Sequence, residues 1–120
     1  MDTSSNDLDR LIGEWLSLSD VADRLGVSVN RLRRLMRERE VIAVTVGVEA
    51  PRVPAEFLDG DRLVKGLGGT LTLLADSGFD DHQAVRWLFT PDETLPGRPI
   101  DALRERRGKE VRRRAQALAL

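Results

Sequence analysis

The spacing of the apolar residues predicts a chain that is mainly helical. Two segments, 21–25 and 29–38, place hydrophobic side chains three and four positions apart, so each helix has one apolar face. Ser19 and Ser28 are expected to cap them, because a serine hydroxyl accepts a hydrogen bond from an N–H group of the first turn. Only Gly26-Val27-Ser28 separates the two helices. This length and these residue types are typical of the tight turn of a helix-turn-helix.

The segments that flank this pair of helices have different patterns. Residues 1–10 are acidic and turn-forming, which predicts a flexible tail, and residues 11–16 have the spacing of a short first helix. Residues 41–46 are mostly β-branched and lose the helical period. Turn-forming residues then lead to a short segment, 52–54, so the pattern predicts a β-hairpin over residues 41–54. A hairpin in this position is the wing of a winged helix-turn-helix.

Helical spacing returns in the C-terminal half of the chain. The expected helices span residues 67–75, 80–89, 99–106 and 109–118. The second of them opens with a capping box formed by Asp80 and Gln83. The predicted fold class is therefore mainly α, a winged helix-turn-helix with a short β-hairpin wing and a helical C-terminal domain. The corresponding division is a flexible acidic tail at 1–10, the winged helix-turn-helix domain at 11–58 and the helical C-terminal domain at 59–120.

Composition excludes several classes of protein. The chain has no cysteine and one histidine, His82, which excludes a disulfide scaffold, a zinc finger, thiol catalysis and a multi-histidine metal site. No apolar run approaches the roughly 18 residues of a membrane helix, and the polar, acidic start differs from a secretory signal. We expect a cytoplasmic protein without a cofactor and without a membrane partner.

The formal net charge of −1 conceals two basic segments. Residues 31–39 carry five arginines against one glutamate, and residues 104–120 carry seven basic side chains against two acidic ones. Salt screens charges separated by more than about 8–10 Å, so a local patch matters as much as the total. A nucleic-acid partner, which the total charge alone argues against, therefore stays open.

The helix predicted over residues 29–38 combines an apolar face with a face of arginine and asparagine. Arginine pairs bidentately with guanine and asparagine with adenine in the major groove, while flanking arginines neutralise phosphates. We expect Asn30, Arg34 and Arg37 to contact base edges of duplex DNA. The alternative is a solvated helix face, which the two caps, the short turn and the following hairpin make less favourable. The predicted DNA contacts are Ser28, Asn30, Arg31, Arg33, Arg34, Arg37, Thr45 and Arg52.

Three other features have two interpretations each. The hairpin either contacts DNA or only completes the core. The basic residues from Arg104 to Arg114 either add phosphate contacts or form a solvated terminal helix. The carboxylates of Asp80, Asp81, Asp92 and Glu93 lie beside helix-start and turn signals, so caps explain them better than catalysis does. We expect the protein not to be an enzyme, and its two tryptophans to be core anchors.

Residues 86–92, 98–103 and 110–117 have a pattern that resembles the C-terminal module of small actinobacterial winged-helix DNA-binding proteins. The best-known members come from mycobacteria and are linked to serine/threonine kinase signalling. The resemblance covers about residues 16–120. It implies a winged helix-turn-helix followed by a helical domain, and DNA binding. We therefore expect a transcriptional regulator that is associated with the nucleoid. The resemblance also implies control by a Ser/Thr kinase, and no catalysis.

Two further hypotheses accompany this resemblance. Residues 67–120 are distantly similar to the toxin-binding domain of a bacterial antitoxin group, which implies a protein-interaction module that binds a partner protein. Thr3, Ser4 and Ser5 are the candidate phosphoacceptors in the acidic tail. A phosphate adds about −1.5 to −2 charges and would compete with DNA for the arginine helix. The alternative is an unmodified tail.

Overall fold

The computed structural model describes residues 8–118. The fold is mainly helical, as predicted, and contains two small antiparallel sheets. Residues 8–11 are helical. The first part of the chain then forms β1 (Trp15–Ser17), α1 (Leu18–Leu25), α2 (Val29–Arg37), β2 (Arg52–Pro54) and a 3₁₀ turn (Ala55–Phe57). The second part forms β3 (Leu58–Asp59), β4 (Arg62–Leu63), α3 (Leu67–Asp76), α4 (Asp81–Phe89), α5 (Pro99–Arg104) and α6 (Gly108–Ala117).

The helix-turn-helix forms through the local signals that predicted it. Gly26 ends α1 in the left-handed conformation, with φ +69°, which glycine adopts without a steric penalty. The hydroxyl of Ser28 accepts a hydrogen bond from the N–H of Arg31 at 3.0 Å and caps α2. The cap of α1 is Ser17, not Ser19, because Ser17 Oγ accepts from the N–H of Asp20 at 3.0 Å. The predicted turn between the helices is therefore confirmed, with α1 beginning earlier than expected.

The expected helix over residues 11–16 is wrong: the helical residues are 8–11, and residues 12–16 are not helical. Trp15–Ser17 is a strand that pairs antiparallel with β2, Trp15 opposite Pro54 and Ser17 opposite Arg52. Pairing with a distant strand satisfies the backbone of this segment better than one further helical turn. The wing closes through a single pair of backbone hydrogen bonds between Val44 and Arg52, each 2.9 Å long. The hairpin is therefore shorter than expected, and the main partner of β2 is β1.

The described part of the chain has one continuous hydrophobic core. Phe57, from the N-terminal part, lies 5.6 Å from Phe89 of α4 between ring centroids. The β3–β4 hairpin spans the predicted boundary between residues 58 and 59. Leu8 is fully buried in the core, so the flexible tail predicted over residues 1–10 does not extend to Leu8. The two parts of the chain are packed together rather than connected by a linker.

Candidate nucleic-acid interface

Helix α2 presents its basic face outward because its opposite face is held by the core. Leu32 is fully buried, and Leu35 and Met36 are half-buried against the same core. Asn30, Arg34 and Arg37 follow one another at spacings of four and three residues and are all exposed. This spacing places them on one face of the helix. The predicted base-contacting residues therefore share a surface.

The arginines of this surface are largely without partners. Arg34 lies 3.7 Å from Glu38, but the two side chains are 62% and 49% exposed, and such surface pairs contribute little. Arg31, Arg33 and Arg37 are exposed and form no ion pair with any residue between 8 and 118. Their guanidinium groups are therefore available for phosphate or base-edge contacts.

The C-terminal end of α2 is braced by the second half of the chain. Arg39 follows the helix in the left-handed conformation, with φ +57°, and lies 3.6 Å from Asp81 at the start of α4. Glu40 packs closely against Gly68 of α3, where a Cβ atom would lie 3.3 Å from the Glu40 Cα. These contacts place the end of α2 beside α3 and the start of α4.

The two predicted wing residues have different surroundings. Arg52 is half-buried and engaged: its Nη2 lies 2.9 Å from Glu49 and 3.6 Å from Asp9, and its guanidinium stacks over the Trp15 ring at 4.8 Å. These contacts could not be predicted from local sequence patterns, because Asp9 and Trp15 are far from Arg52 in the chain. The guanidinium would have to leave both carboxylates to reach a phosphate.

Thr45 is exposed, and its backbone anchors the wing to α4. The Nε2 atom of His82 lies 2.8 Å from the carbonyl oxygen of Thr45. Because that oxygen only accepts, the contact places the ring proton on Nε2. Val48 at the tip of the wing is fully exposed. The wing is therefore held at its base and free at its tip.

Asp80 and Asp92, two of the acidic residues that the sequence placed at helix starts and turns, have those roles. Asp80 and Gln83 form the predicted capping box, with the Gln83 N–H donating to Asp80 at 2.8 Å and the Asp80 N–H donating to Gln83 at 2.9 Å. Asp92 accepts hydrogen bonds from the hydroxyl and the N–H of Thr94, and these bonds lower the pKa of its carboxyl. These carboxylates are therefore committed to local structure.

Other candidate residues are not brought into this surface. The candidate phosphoacceptors Thr3, Ser4 and Ser5 lie outside the described residues. Within residues 8–118, no cluster of three or more histidine or acidic side chains has the arrangement of a metal site. No helix in the same range is long and apolar enough to cross a membrane. The tryptophans pack half-buried against the core.

A second group of arginines joins the two halves of the molecule. Arg98 donates hydrogen bonds to Glu56 and to Asp101, each with a shortest distance of 2.6 Å, and Arg104 donates to the carbonyl oxygens of Glu56 and Leu58. The hydrogen bonds from Arg98 hold the pKa of the Asp101 carboxyl below its usual range. The sequence gives no local signal for this joint, since Glu56 lies 42 positions from Arg98.

Comparisons with known proteins place this architecture in a family. The family model described as "DNA-binding protein Rv2175c, wHTH domain" matches residues 4–58, and "Rv2175c C-terminal domain of unknown function" matches residues 64–119. A relative from Mycobacterium tuberculosis (strain ATCC 25618 / H37Rv), DNA-binding protein Rv2175c, is 40% identical over 116 residues, covering 85% of this chain and 78% of its own. The NMR structure of Rv2175c matches with a TM-score of 0.80 at 37% identity, over 89% of this chain and 82% of that one. The chain belongs to the Rv2175c family, with a winged helix-turn-helix domain followed by the family's C-terminal domain.

Proposed function

We propose that this protein binds duplex DNA through α2 and acts as a transcriptional regulator. The observation that carries the proposal is the exposed basic face of α2, where Arg31, Arg33 and Arg37 lack carboxylate partners among residues 8–118. Unpaired guanidinium groups on a helix that packs through its other face suit the major groove. The name of the mycobacterial relative, a DNA-binding protein, supports the same function.

The proposed contacts follow from positions on α2. Asn30, Arg34 and Arg37 face outward together and contact base edges, while Arg31 and Arg33 flank them and contact phosphates. Ser28 already accepts a hydrogen bond from the helix, and its hydroxyl proton remains able to bond a phosphate oxygen beside the helix N-terminus.

The wing has a smaller part in this proposal. The exposed side chain of Thr45 contacts the DNA backbone directly. Arg52 contributes a phosphate contact only if DNA displaces Glu49 and Asp9 from its guanidinium. We therefore expect substitution of Arg52 to affect stability of the wing more than DNA affinity.

The test is a fluorescence anisotropy titration of a labelled duplex at two salt concentrations. Neutralising phosphates with arginines releases counterions, so affinity should fall steeply as salt rises, with a slope of about −0.9 for each phosphate contact. Arg37→Ala should weaken binding by about 1–3 kcal/mol if Arg37 reads a base. Absence of binding by the wild-type protein at low salt would contradict the proposal.

Arg114→Ala is the matched control for this titration. It removes the same charge from an exposed arginine of α6, which forms only a long ion pair of 3.9 Å with Asp92. If binding depends on the surface of α2, Arg114→Ala binds as the wild type does. Equal losses in Arg37→Ala and Arg114→Ala would show that net charge alone determines affinity.

The proposal extends to control of DNA binding by phosphorylation of the N-terminal tail. Thr3 lies five positions before Leu8, a span of at most about 18 Å. The next residue, Asp9, lies 3.6 Å from Arg52 in the wing, so a phosphate on Thr3, Ser4 or Ser5 has the wing within reach. A Thr3→Glu, Ser4→Glu, Ser5→Glu variant should bind DNA more weakly than wild type at moderate salt. Wild-type affinity in that variant would contradict control by the tail.

A protein-interaction role for residues 67–120 stays a prediction. The observation in its favour is a half-exposed aromatic pair, Phe79 and Trp87, which lines a cavity of about 280 Å³ beside α4. A pull-down of partner proteins by the full chain, lost in Trp87→Ala with DNA binding retained, would support it.

The capping and turn roles of Asp80 and Asp92 argue against a catalytic site. We also infer from DNA binding that the protein is cytoplasmic and associated with the nucleoid.

A further inference from the structure

Five of the seven basic side chains of the second basic segment, residues 104–120, fall into two sets with different surroundings. Arg104 donates to backbone carbonyl oxygens, and Arg107 pairs with Glu105 and Glu110. Arg106, Lys109 and Arg112 instead form no hydrogen bond or ion pair through their side chains with any residue between 8 and 118. The first set holds the fold together, whereas the second set has no hydrogen-bond or ion-pair partner in the part of the chain that the structure describes.

These three side chains and Lys65 surround one cavity. It has a volume of about 210 Å³ and is lined by Lys65, Gly66, Arg106, Gly108, Lys109 and Arg112, with no carboxylate among them. A water molecule occupies about 30 Å³ in the liquid, so the cavity has room for a phosphate group and several waters. Four cations around one cavity repel one another, and an anion between them would remove that repulsion.

The backbone around the cavity leaves room for the guanidinium of Arg112. Its Nη1 atom lies 3.4 Å from the place that a Cβ would take at Gly108, and 3.9 Å from the corresponding place at Gly66. Arg112 is half-buried there, while the other three cations are exposed. Arg112 is therefore the cation at the inner wall of the cavity.

Arg106 occupies a backbone position that favours glycine. It follows α5 with φ +64°, and its N–H donates to the carbonyl of Leu103 while the N–H of Arg107 donates to that of Ala102. This is the Schellman ending of a helix, where Gly78 stands after α3 with φ +92°. An arginine in this conformation costs stability relative to glycine. Among residues 8–118, the Arg106 side chain forms no hydrogen bond or ion pair that would offset this cost.

Two helix N-termini add positive potential at the same place. The N-caps of α3 and α6 are Gly66 and Arg107, and neither has a side chain that accepts a hydrogen bond from the first turn. The N–H groups at a helix start carry partial positive charge. This partial charge adds to the charge of the four cations, which is the larger of the two.

We propose that this cavity is a phosphate-binding site, in which Arg106 and Arg112 are the principal ligands and Lys65 and Lys109 complete the charge. The phosphate belongs either to the DNA backbone or to a small phosphorylated compound. Proximity to α2 favours the first source, because Gly66 is two residues from Gly68, which packs against Glu40, three residues after the end of α2. Only this source rests on the proposed DNA-binding function.

The test of the site uses inorganic phosphate and the full ¹⁵N-labelled chain. Phosphate, compared with sodium chloride at matched ionic strength, should shift the amide signals of Arg106, Gly66 and Gly108 in a saturable way. Arg106→Gly and Arg112→Gln should each weaken phosphate binding about tenfold. Arg106→Gly should also raise or preserve the melting temperature, since glycine is favoured at φ +64°, so misfolding does not explain its loss of binding.

Arg114→Gln is the control, because residue 114 lies two positions from Arg112 and therefore about 200° around the same helix. It should bind phosphate as the wild type does. Absence of saturable shifts in the wild type, or wild-type phosphate affinity in both Arg106→Gly and Arg112→Gln, would overturn the proposal.

The same variants distinguish the two sources of phosphate. If the site holds a DNA phosphate, Arg106→Gly reduces the salt slope of duplex binding by about one, uniformly across DNA sequences. If it holds a small phosphorylated compound, Arg106→Gly loses phosphate binding and keeps its DNA affinity. Failure of the wild type to bind DNA would remove the first source and overturn the proposed function, while the phosphate titration would still test the site.

Discussion

The arginines of α2 and the arginines of the joint between the two halves of the molecule have the same chemistry and opposite surroundings. On α2, Arg31, Arg33 and Arg37 are exposed, with no carboxylate partner in residues 8–118. In the joint, Arg98 is 25% exposed and bonds two carboxylates, Glu56 and Asp101. An arginine whose guanidinium lies beside carboxylates of the same chain therefore stabilises the fold, whereas one without such acceptors is available to bind DNA.

The difference also explains how a protein with net charge −1 keeps a basic surface. The acidic residues are not spread evenly among the basic ones. Several neutralise arginines that hold the fold, as Glu56 and Asp101 do for Arg98. Others cap helices, as Asp80 does for α4. Among the residues that the structure describes, only Glu38 offsets the positive charge on the exposed face of α2, and no carboxylate lines the cavity beside α6.

The largest expected effect is on the joint. Arg98→Met keeps the length of the side chain but leaves Glu56 and Asp101 without their cation, and it removes the stacking of the guanidinium over Phe89 at 5.5 Å. We expect the free energy of unfolding to fall by about 2–3 kcal/mol in urea denaturation. The matched change on α2, Arg34→Met, should stay within about 0.5 kcal/mol of wild type. Similar losses in the two variants would remove the distinction between the two groups of arginines.

The next effect is on DNA. Arg34→Ala should weaken binding to a specific duplex by about 1–3 kcal/mol if Arg34 reads a base bidentately, with a smaller loss on random duplex. Anisotropy titrations of both duplexes at one salt concentration measure this. An equal loss on the two duplexes would assign Arg34 to phosphate contact.

A smaller effect concerns pH. The hydrogen bonds from Arg98 lower the pKa of Asp101 in the folded state, so this contribution to stability is present above the unfolded pKa of about 3.9 and is lost as pH falls through the folded value. Because Asp101 is partly exposed, we expect about 1 kcal/mol. Urea midpoints between pH 5 and pH 2 measure it. Asp101→Asn should reduce the pH dependence, and an unchanged profile would contradict this assignment.

The smallest expected effect separates the cost of backbone strain at Arg39, just after α2, from the gain of its ion pair with Asp81. Arg39 adopts φ +57° after the helix, as Gly26 does after α1 with φ +69°. Arg39→Gly relieves the strain and loses only an exposed ion pair with Asp81, so thermal unfolding should show a gain of about 0.5–1 kcal/mol. Gly78→Ala, which introduces strain at φ +92°, should lose stability. A loss in Arg39→Gly would show that its ion pair outweighs the backbone strain.

The sequence was sufficient for most structures that depend on neighbouring residues, and the exception is the cap of α1, which is Ser17 and not Ser19. The cap at Ser28, the turn at Gly26 and the capping box of Asp80 and Gln83 all follow from short spacings. It was insufficient where partners are distant. Strand β1 exists because residues 52–54 return to pair with it, and Arg52 is engaged because Asp9 and Trp15 approach it. Local propensity carries no information about such contacts.

The basic segment after Arg104 shows the same limit. Its two predicted roles, phosphate contact and a solvated helix, assumed that its charges act together. The structure separates Arg104, Arg107 and Arg114, which have acceptors, from Arg106, Lys109 and Arg112, which face a cavity with Lys65. Lys65 lies 41 positions before Arg106, so no local pattern includes it.

Amide chemical-shift mapping of the ¹⁵N-labelled full chain against a short duplex shows which surface meets DNA. If that surface is α2, the largest perturbations fall on residues 28–37, with smaller ones at the wing near Thr45, and they weaken as salt is raised. Perturbations that leave residues 28–37 unchanged while others shift would contradict binding through α2.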